Sequence, residues 1–349
     1  MRKAVYVMKA VSIWMICAFI VSGCSDGAKG KEREECKKAE TEEGAVVAEP
    51  KEISVAEEDR EEALWQGKEE EEVSAQGKEE EKVLDEEKDK GREEPEMIEA
   101  DWSEYFDGFQ GTAVLYDASK MQYTVFQPEL ALARRSPCST FKIVSSLIAL
   151  EHGIIDPDYS VRKWSGETFW NEQWNRDIDF REAFATSCVW YFRETIDEIG
   201  AERMQEELDR LKYGNCDISD WEGRLNGNNK NRALTGFWIE SSLLVSPKEQ
   251  TEIMERIFGK ESVYKEETRE ELKRVMLAVE GEEANGFPVY GKTGMGKAEG
   301  VTVDAWFTGF AEKPDGNIYF CVHLGKTGPK EASSAAAKEI ALRIVKEEA

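Results

Sequence analysis

Ser139 and Lys142 are the residues whose types and spacing most directly indicate chemistry in this chain. The segment Ser136–Leu150 has a proline at its second position and then an apolar run, which predicts a buried helix starting near the serine. Residues three apart on a helix share a face, and a lysine whose pKa is lowered by burial can deprotonate a serine. The spacing alone also fits a capping serine with a surface lysine. Other motifs are needed to distinguish this structural interpretation from the catalytic one.

Further motifs follow in chain order. They are Ser187-Cys188-Val189, Tyr213-Gly214-Asn215, Phe237-Trp238-Ile239-Glu240 and Lys292-Thr293-Gly294. Each one alone indicates little, because Tyr-Gly-Asn also suits a turn and Lys-Thr-Gly also suits the end of a strand. As an ordered set they are specific.

This set resembles the active-site motifs of the penicillin-recognising serine enzymes. Within that superfamily, the Ser-x-Val triplet, Tyr-Gly-Asn and Trp238 are similar to those of class D β-lactamases, the oxacillinases, and most similar to the clostridial class D group. The resemblance covers residues 102–349. It implies hydrolysis of the β-lactam amide of penicillin-type antibiotics, and hence antibiotic resistance.

The resemblance implies catalytic roles for four residues. Ser139 would attack the lactam carbonyl and form an acyl-enzyme. Lys142 would be carboxylated by carbon dioxide to N6-carboxylysine, the general base of both steps; carboxylation requires a neutral amine, which burial favours. Ser187 would relay a proton to the lactam nitrogen, assisted by Lys292. No other cofactor and no metal is implied.

Substrate binding is assigned to the last motif by the same resemblance. Thr293 would hydrogen-bond the substrate carboxylate, and Gly294 completes the motif. The backbone N–H groups of Ser139 and Met295 would form the oxyanion hole. Trp238 and Val189 would line the carbamate pocket, the indole N–H donating to the carbamate. The remaining motif residues are Tyr213, Gly214 and Asn215.

One departure concerns the substrate carboxylate. Many class D enzymes grip it with an arginine after the last strand, whereas residues 325–334 offer only Lys326 and Lys330 as cations. An ammonium does not reproduce the paired hydrogen bonds of a guanidinium. The motifs therefore leave the substrate range open, carbapenems included.

Two other functions share part of the motif set. Extracellular domains of transmembrane penicillin sensors carry class D motifs but keep the acyl-enzyme, and such sensors need membrane helices and a cytoplasmic output module. D,D-peptidases share Ser-x-x-Lys and Lys-Thr-Gly, but Trp238 and the Ser-Cys-Val triplet favour the carbamate machinery. Hydrolysis is the preferred prediction, and repeated turnover is the property that separates it from the others.

The elements that position these motifs are predicted to form an α+β, β-lactamase/transpeptidase-like domain over residues 98–349. Apolar and alternating runs predict strands at Gly111–Tyr116, Met121–Phe126, Tyr290–Met295, Val303–Ala311 and Ile318–Leu324. Thr140–Ile257 is mostly helical in pattern, and Glu331–Lys346 predicts a terminal amphipathic helix. This order of strands and helices predicts an antiparallel sheet built from both chain ends. Helices flank the sheet, and an all-helical subdomain is joined to it.

Residues 1–23 predict a lipoprotein signal peptide. A basic start precedes the uncharged run Ala10–Val21, which is too short to span a bilayer. Val21-Ser22-Gly23-Cys24 resembles a lipobox, so Cys24 is the predicted lipidation site. We therefore expect export and a lipid anchor at the outer face of the cytoplasmic membrane.

Residues 24–97 predict an acidic, disordered tether. From residue 25 to 100 there are 29 Asp and Glu against 13 Lys and Arg, and the hexamer Gln66–Glu71 recurs at Gln76–Glu81. Such a composition buries too little apolar surface to offset its ordering entropy.

Charge and cysteine usage exclude other classes. The whole-chain net charge is −26, and about −13 of it remains on residues 101–349. This acidic surface argues against nucleic acid as a partner, because phosphate contacts need clustered cations. Seven cysteines without a CxxC pair, and only two histidines, argue against a metal site. Cys138 and Cys188 each adjoin a predicted catalytic residue; a disulfide between them stays open, with buried free thiols preferred. The oligomeric state is not predicted.

Overall fold

A computed structural model of the chain describes residues 94–225, 230–280, 286–326 and 330–348. The predicted signal peptide, the lipidation site Cys24 and the tether up to residue 93 lie outside these residues. No helix in the described ranges combines the length and apolar character needed to cross a membrane.

A seven-stranded sheet organises the domain, in the spatial order β1-β3-β2-β7-β6-β5-β4. All neighbouring strands are antiparallel except β1 and β3. Because β2 pairs with β7, the two ends of the domain meet inside one sheet, which confirms the predicted α+β fold. The strands are β1 Glu96–Glu99, β2 Gly111–Asp117, β3 Gln122–Phe126, β4 Leu277–Val279, β5 Val289–Ala298, β6 Val301–Ala311 and β7 Ile318–Gly325.

The helices divide into two groups on opposite faces of the sheet. Short α1 and the C-terminal α9 cover one face, and most of the others build the helical subdomain on the other face. They are α1 Ser103–Phe106, α2 Pro128–Ala131, α3 Lys142–Glu151, α4 Phe180–Ala185, α5 Val189–Ile199, α6 Ala201–Leu211, α7 Pro247–Phe258, α8 Glu266–Met276 and α9 Ser334–Glu348.

The five predicted strands and the terminal helix are confirmed, whereas β1 and the three-residue β4 were not predicted. All four residues of β1 are exposed, so it lacks the alternation that marks a half-buried strand, and its first two residues fall within the range assigned to the tether. The middle of the domain is also less helical than its pattern suggests. Residues 152–179 and 212–246 are irregular in their described parts, apart from single turns of 3-10 helix.

Register decides which side chains of β5 face the helical subdomain. Lys292 lies opposite Thr308, and Gly294 lies opposite Trp306. Directly opposed residues of antiparallel strands project from the same face, and side chains alternate along a strand. Lys292 therefore projects toward the helices. Thr293, the next residue, starts from the other side of the strand, but its Oγ1 lies only 3.5 Å from Lys292 Nζ.

Helix α3 forms the centre of the helical subdomain. Of its ten residues, all from Lys142 to Ala149 are buried. A helix that is buried on every side is stable only inside a protein core, and here helices α5 and α8 pack against it. The burial of Lys142 follows from its place at the start of this helix.

Candidate active site

Ser139 and Lys142 lie where a 3-10 turn leads into helix α3. A 3-10 turn, Cys138–Phe141, runs directly into α3, and Lys142 is its C-terminal neighbour. The lysine Nζ donates to the serine Oγ over 3.1 Å. The serine is half-buried, while the lysine is only 1% exposed. A reachable hydroxyl thus lies against an amine that is shielded from water.

Burial determines the charge of Lys142. It lowers the pKa of the ammonium from 10.5 to about 8, and no carboxylate opposes that shift. The amine also lies 5.3 Å from the centre of the Phe192 ring, an apolar neighbour. At pH 8 about half of the amine is therefore neutral and can accept a proton or react with carbon dioxide.

Lys292 provides a second buried amine. Burial, and then the positive charge of Lys142, lower its pKa to about 7. Its Nζ donates to Thr293 O at 3.1 Å, lies 3.5 Å from Thr293 Oγ1, and is 5.6 Å from the centre of the Phe184 ring in α4. The charge of Lys142 disfavours the charged form of Lys292, so the site favours one cation beside one neutral or modified lysine.

Ser187 lies between α4 and α5 in a strained conformation. Its φ is 58°, and its Oγ is buried without a hydrogen-bond partner among the described residues. Trp174 Nε1 donates to Thr186 O at 3.1 Å and fixes the preceding residue. Val189, half-buried, begins α5. A buried hydroxyl without a hydrogen-bond partner lowers the stability of the fold by about 1–3 kcal/mol. Such unpaired groups are common at functional sites, where a ligand can supply the partner.

Strand β5 packs closely against the serine segment through glycines. A Cβ on Gly294 would lie 3.0 Å from Thr140 Cγ2 and 3.1 Å from Pro137 O, and one on Gly296 would lie 2.9 Å from Cys138 Sγ. Any larger residue would push the strand away. Met295, which is 44% exposed, therefore lies on the stretch of β5 that borders the Ser139 turn.

Trp238 supports the serine segment through its backbone as well as its ring. Its carbonyl accepts hydrogen bonds from Cys138 N and Ser136 Oγ, both at 3.0 Å. Its fully buried indole stacks on Phe141, with ring centres 6.1 Å apart. The motifs predict a role for the indole but not the carbonyl contacts.

Two supporting residues, Ser136 and Trp306, lie outside the sequence motifs. Ser136 O accepts a hydrogen bond from Trp306 Nε1 at 3.1 Å, and Ser136 Oγ accepts one from Glu240 N at 2.8 Å. Ser136 thus ties the start of the serine segment to β6 and to the residues after Trp238. No local signal in the sequence marks such a contact, because its partners are more than 100 residues away.

The Tyr-Gly-Asn motif has a structural role. Asn215 Nδ2 donates to Ser242 O, and its Oδ1 accepts from Leu244 N, both at 2.9 Å. Tyr213 packs edge-on against Phe141, with ring centres 5.5 Å apart. The motif therefore holds the irregular segment that follows Trp238 and supports the turn that carries Ser139.

Gly214→Ala should destabilise the fold by more than about 2 kcal/mol, because Gly214 has a φ of +55° and an added Cβ would lie 2.0 Å from Leu244 O. Gly153→Ala is the matched control. Gly153 has a φ of +67° but nothing within 4 Å of the added atom, so only the conformational cost of about 1 kcal/mol applies. Urea unfolding measures the loss of stability in both variants. Equal losses would contradict the close packing of Gly214 against Leu244 O.

Neither Lys330 nor Lys326, the candidate replacements for the missing arginine, has a described contact with Lys292 or Thr293. Lys330 Nζ pairs with Asp107 Oδ2 at 2.5 Å and covers the Phe109 ring. Lys326 lines a cavity whose walls include neither Lys292 nor Thr293. Among the described residues, Lys292 and Thr293 are therefore the candidates for contacting a substrate carboxylate.

The cysteines near the site are reduced and buried. Cys138 and Cys188 are both free, as are Cys216 and Cys321. Burial raises the pKa of Cys138 to about 12 and that of Cys188 to about 11, so both thiols stay protonated at neutral pH. Within the described ranges, no three His, Cys, Asp or Glu residues are grouped so as to hold a metal ion.

The penicillin binding protein transpeptidase domain family matches residues 110–346. The regulatory protein BlaR1 of Bacillus licheniformis is 33% identical over 247 residues, which are 70% of this chain and only 38% of BlaR1. The probable β-lactamase YbxI of Bacillus subtilis is 33% identical over 242 residues, covering 69% of this chain and 82% of YbxI.

A solved structure is similar as well. The C-terminal domain of the Bacillus licheniformis BlaR penicillin receptor matches with a TM-score of 0.64 at 30% identity, over 74% of this chain and 98% of that domain. The relatives thus comprise a probable β-lactamase and a penicillin receptor, in agreement with the superfamily and fold predicted from the motifs. The family match covers well over half of the chain, including every motif, and the chain therefore belongs to the penicillin binding protein transpeptidase domain family.

Proposed function

We propose that this protein hydrolyses β-lactams through a serine acyl-enzyme, as a class D serine β-lactamase. The observation that carries the proposal is the 3.1 Å contact between Lys142 Nζ and Ser139 Oγ, with a lysine pKa lowered to about 8. A neutral amine at that distance can accept the hydroxyl proton as the oxygen attacks a carbonyl. The similarity to YbxI supports the same activity.

The other residues would bind and protonate the substrate. Lys292 and Thr293 would hold its carboxylate, and the unpaired Ser187 hydroxyl would pass a proton to the departing nitrogen. The N–H groups of Ser139 and Met295 would stabilise the oxyanion. Removing one such donor typically costs about 100-fold or more in rate.

The pocket around Lys142 fits a carboxylated lysine. This residue is 1% exposed, its amine has a lowered pKa, and no carboxylate is among the groups that shift that pKa. Lys292 lies close enough for its charge to be coupled to that of Lys142, and its cation would stabilise an added negative charge. Carboxylation by carbon dioxide would replace the amine with a carbamate, whose carboxylate stays unprotonated at pH values where the amine itself is mostly protonated. Trp238 and Val189 would help to keep water from it.

A second candidate function is β-lactam sensing, favoured by the similarity to the BlaR penicillin receptor domain. A sensor would acylate by the same Ser139 chemistry and keep the acyl group. In the chemistry at Ser139, the two candidates therefore differ only in the rate of deacylation. A D,D-peptidase, the third possibility, would instead turn over cell-wall peptides.

Repeated turnover decides among them. The purified chain mixed with excess chromogenic cephalosporin should hydrolyse many equivalents, and Ser139→Ala should abolish hydrolysis. Release of about one equivalent followed by a stable acyl-enzyme in the mass spectrum would contradict the hydrolase and support the sensor. Cleavage of D-alanyl-D-alanine peptides with no β-lactam turnover would support the peptidase.

We further propose export and lipid anchoring at Cys24, on the strength of the lipobox-like sequence. Mass spectrometry of the membrane fraction should find a lipid-modified N-terminal cysteine, and Cys24→Ser should release the protein from that fraction. An unmodified residue 24 in membrane-bound protein would contradict the proposal.

A further inference from the structure

A cavity of 270 Å³ opens where β2 begins and β7 ends, apart from the proposed substrate cleft. Neither Ser139, Ser187, Lys292 nor Thr293 contributes to its walls. Its walls include Gln110, Leu130, Ala133, Arg135, His323 and Lys326.

The cavity is cationic in a strongly acidic chain. Arg135 and Lys326 both line it, and neither forms an ion pair with any residue that the structure describes. The described contact of the Arg135 guanidinium is a long hydrogen bond, 3.4 Å, to the neighbouring Arg134 O. No Asp or Glu of the described ranges lines the cavity, although the chain carries a net charge of −26. Two uncompensated cations facing one cavity favour an anionic occupant.

His323 adds a buried polar group to the cavity wall. It is 6% exposed, and its Nε2 lies 2.9 Å from Asp304 Oδ1. The carboxylate thus engages Nε2, and no described hydrogen bond involves Nδ1. Asp304 itself is not among the residues that line the cavity.

We propose that this cavity binds a small organic carboxylate, with its head group between Arg135 and Lys326 and its apolar part against Leu130 and Ala133. The guanidinium fork matches a carboxylate with two parallel hydrogen bonds, and the aliphatic wall favours a short hydrocarbon chain over an inorganic ion. At 270 Å³ the space is somewhat below the range of about 300–1,000 Å³ typical of drug-sized ligands, which selects a small molecule.

The site is linked to the serine segment by direct contacts. The Trp306 ring packs on His323 with centres 4.2 Å apart, and its Nε1 donates to Ser136 O, three residues before Ser139. An occupant that contacts His323 therefore borders the residues that hold the serine turn.

Calorimetric titration of the purified full chain with butyrate tests the proposal, with butyramide as the uncharged control of nearly the same shape. Butyrate should bind and butyramide should not. Arg135→Gln should weaken butyrate binding by about tenfold or more, since a charge-assisted hydrogen bond is lost. Lys326→Gln should weaken it less, and Lys330→Gln, which removes a cation outside the cavity, should leave it unchanged.

The backbone of Arg135 pairs with Val245 through two hydrogen bonds, which a side-chain change leaves in place, so the variant is expected to fold. Thr293→Val distinguishes this cavity from the substrate cleft: butyrate binding should survive it. Absence of butyrate binding, equal binding by Arg135→Gln, or loss of binding in Thr293→Val would each overturn the proposal. None of these readouts depends on β-lactam turnover.

Discussion

Lys142→Met should lower kcat/KM for β-lactam hydrolysis by about a thousandfold or more, with Lys142→Ala giving a similar loss. The lysine is the proposed base for both acylation and deacylation, and a positioned general base contributes roughly 100- to 10,000-fold to a single step. Its Nζ is the described partner of the Ser139 hydroxyl, at 3.1 Å. Steady-state kinetics, with burst analysis to separate the two steps, measure the effect.

The methionine variant also controls for folding, because it fills the buried space without an amine. The folded-state pKa of Lys142, about 8, lies below its value of 10.5 in the unfolded chain. The unfolded state therefore binds more protons between these values, and the free energy of unfolding contributed by this group rises with pH across that window. In buffer free of carbon dioxide, this rise should be smaller in Lys142→Met than in the parent, and the part that remains comes from Lys292, whose pKa is lowered to about 7. A stable methionine variant with near-parental deacylation would refute the assigned role.

Removing carbon dioxide and bicarbonate at pH 5.5 should reduce β-lactam hydrolysis to less than about a tenth, and adding bicarbonate should restore it. With a pKa of about 8, only roughly 0.3% of free Lys142 amine is neutral at that pH, so a lost carboxyl group is regained slowly. Recovery should be faster as the pH is raised toward 8, because the neutral fraction grows. Initial rates after stripping and re-addition give the measurement.

Sodium chloride at matched ionic strength is the control for the added salt. Carbon-13 bicarbonate should give a carbamate resonance in the parent and none in Lys142→Met. Activity indifferent to bicarbonate, with no such resonance, would leave Lys142 as an ordinary amine base and reject carboxylation. Because the Ser139→Ala turnover test does not involve bicarbonate, that outcome would not reject hydrolysis itself.

The amino-acid sequence determined the features that depend on local spacing. The contact of Lys142 with Ser139 follows from a separation of three residues at a helix start, which any helix of that kind reproduces. The five predicted strands of the sheet followed from apolar runs, since a strand with a buried face shows its pattern in every second residue. The order of the motifs along the chain was sufficient to predict the family.

The sequence could not reveal elements without such a pattern. Strand β1 is exposed along its whole length. The irregular segment after Trp238 is held by the side chain of Asn215 and by an isolated backbone bridge between Val245 and Arg135, not by a continuous ladder. Neither case leaves a periodic signal. Both are defined by contacts between distant parts of the chain.

Tertiary structure decided the electrostatics of the site. The lowered pKa of Lys142 and Lys292 depends on burial by several elements and on the approach of two amines from α3 and β5, which lie far apart in the chain. The Trp306–Ser136 hydrogen bond and the cavity of Arg135 and Lys326 likewise join segments from opposite ends of the domain. Desolvation and Coulomb interactions act through space, so the sequence supplied the reactive groups and only the packed fold set their charge.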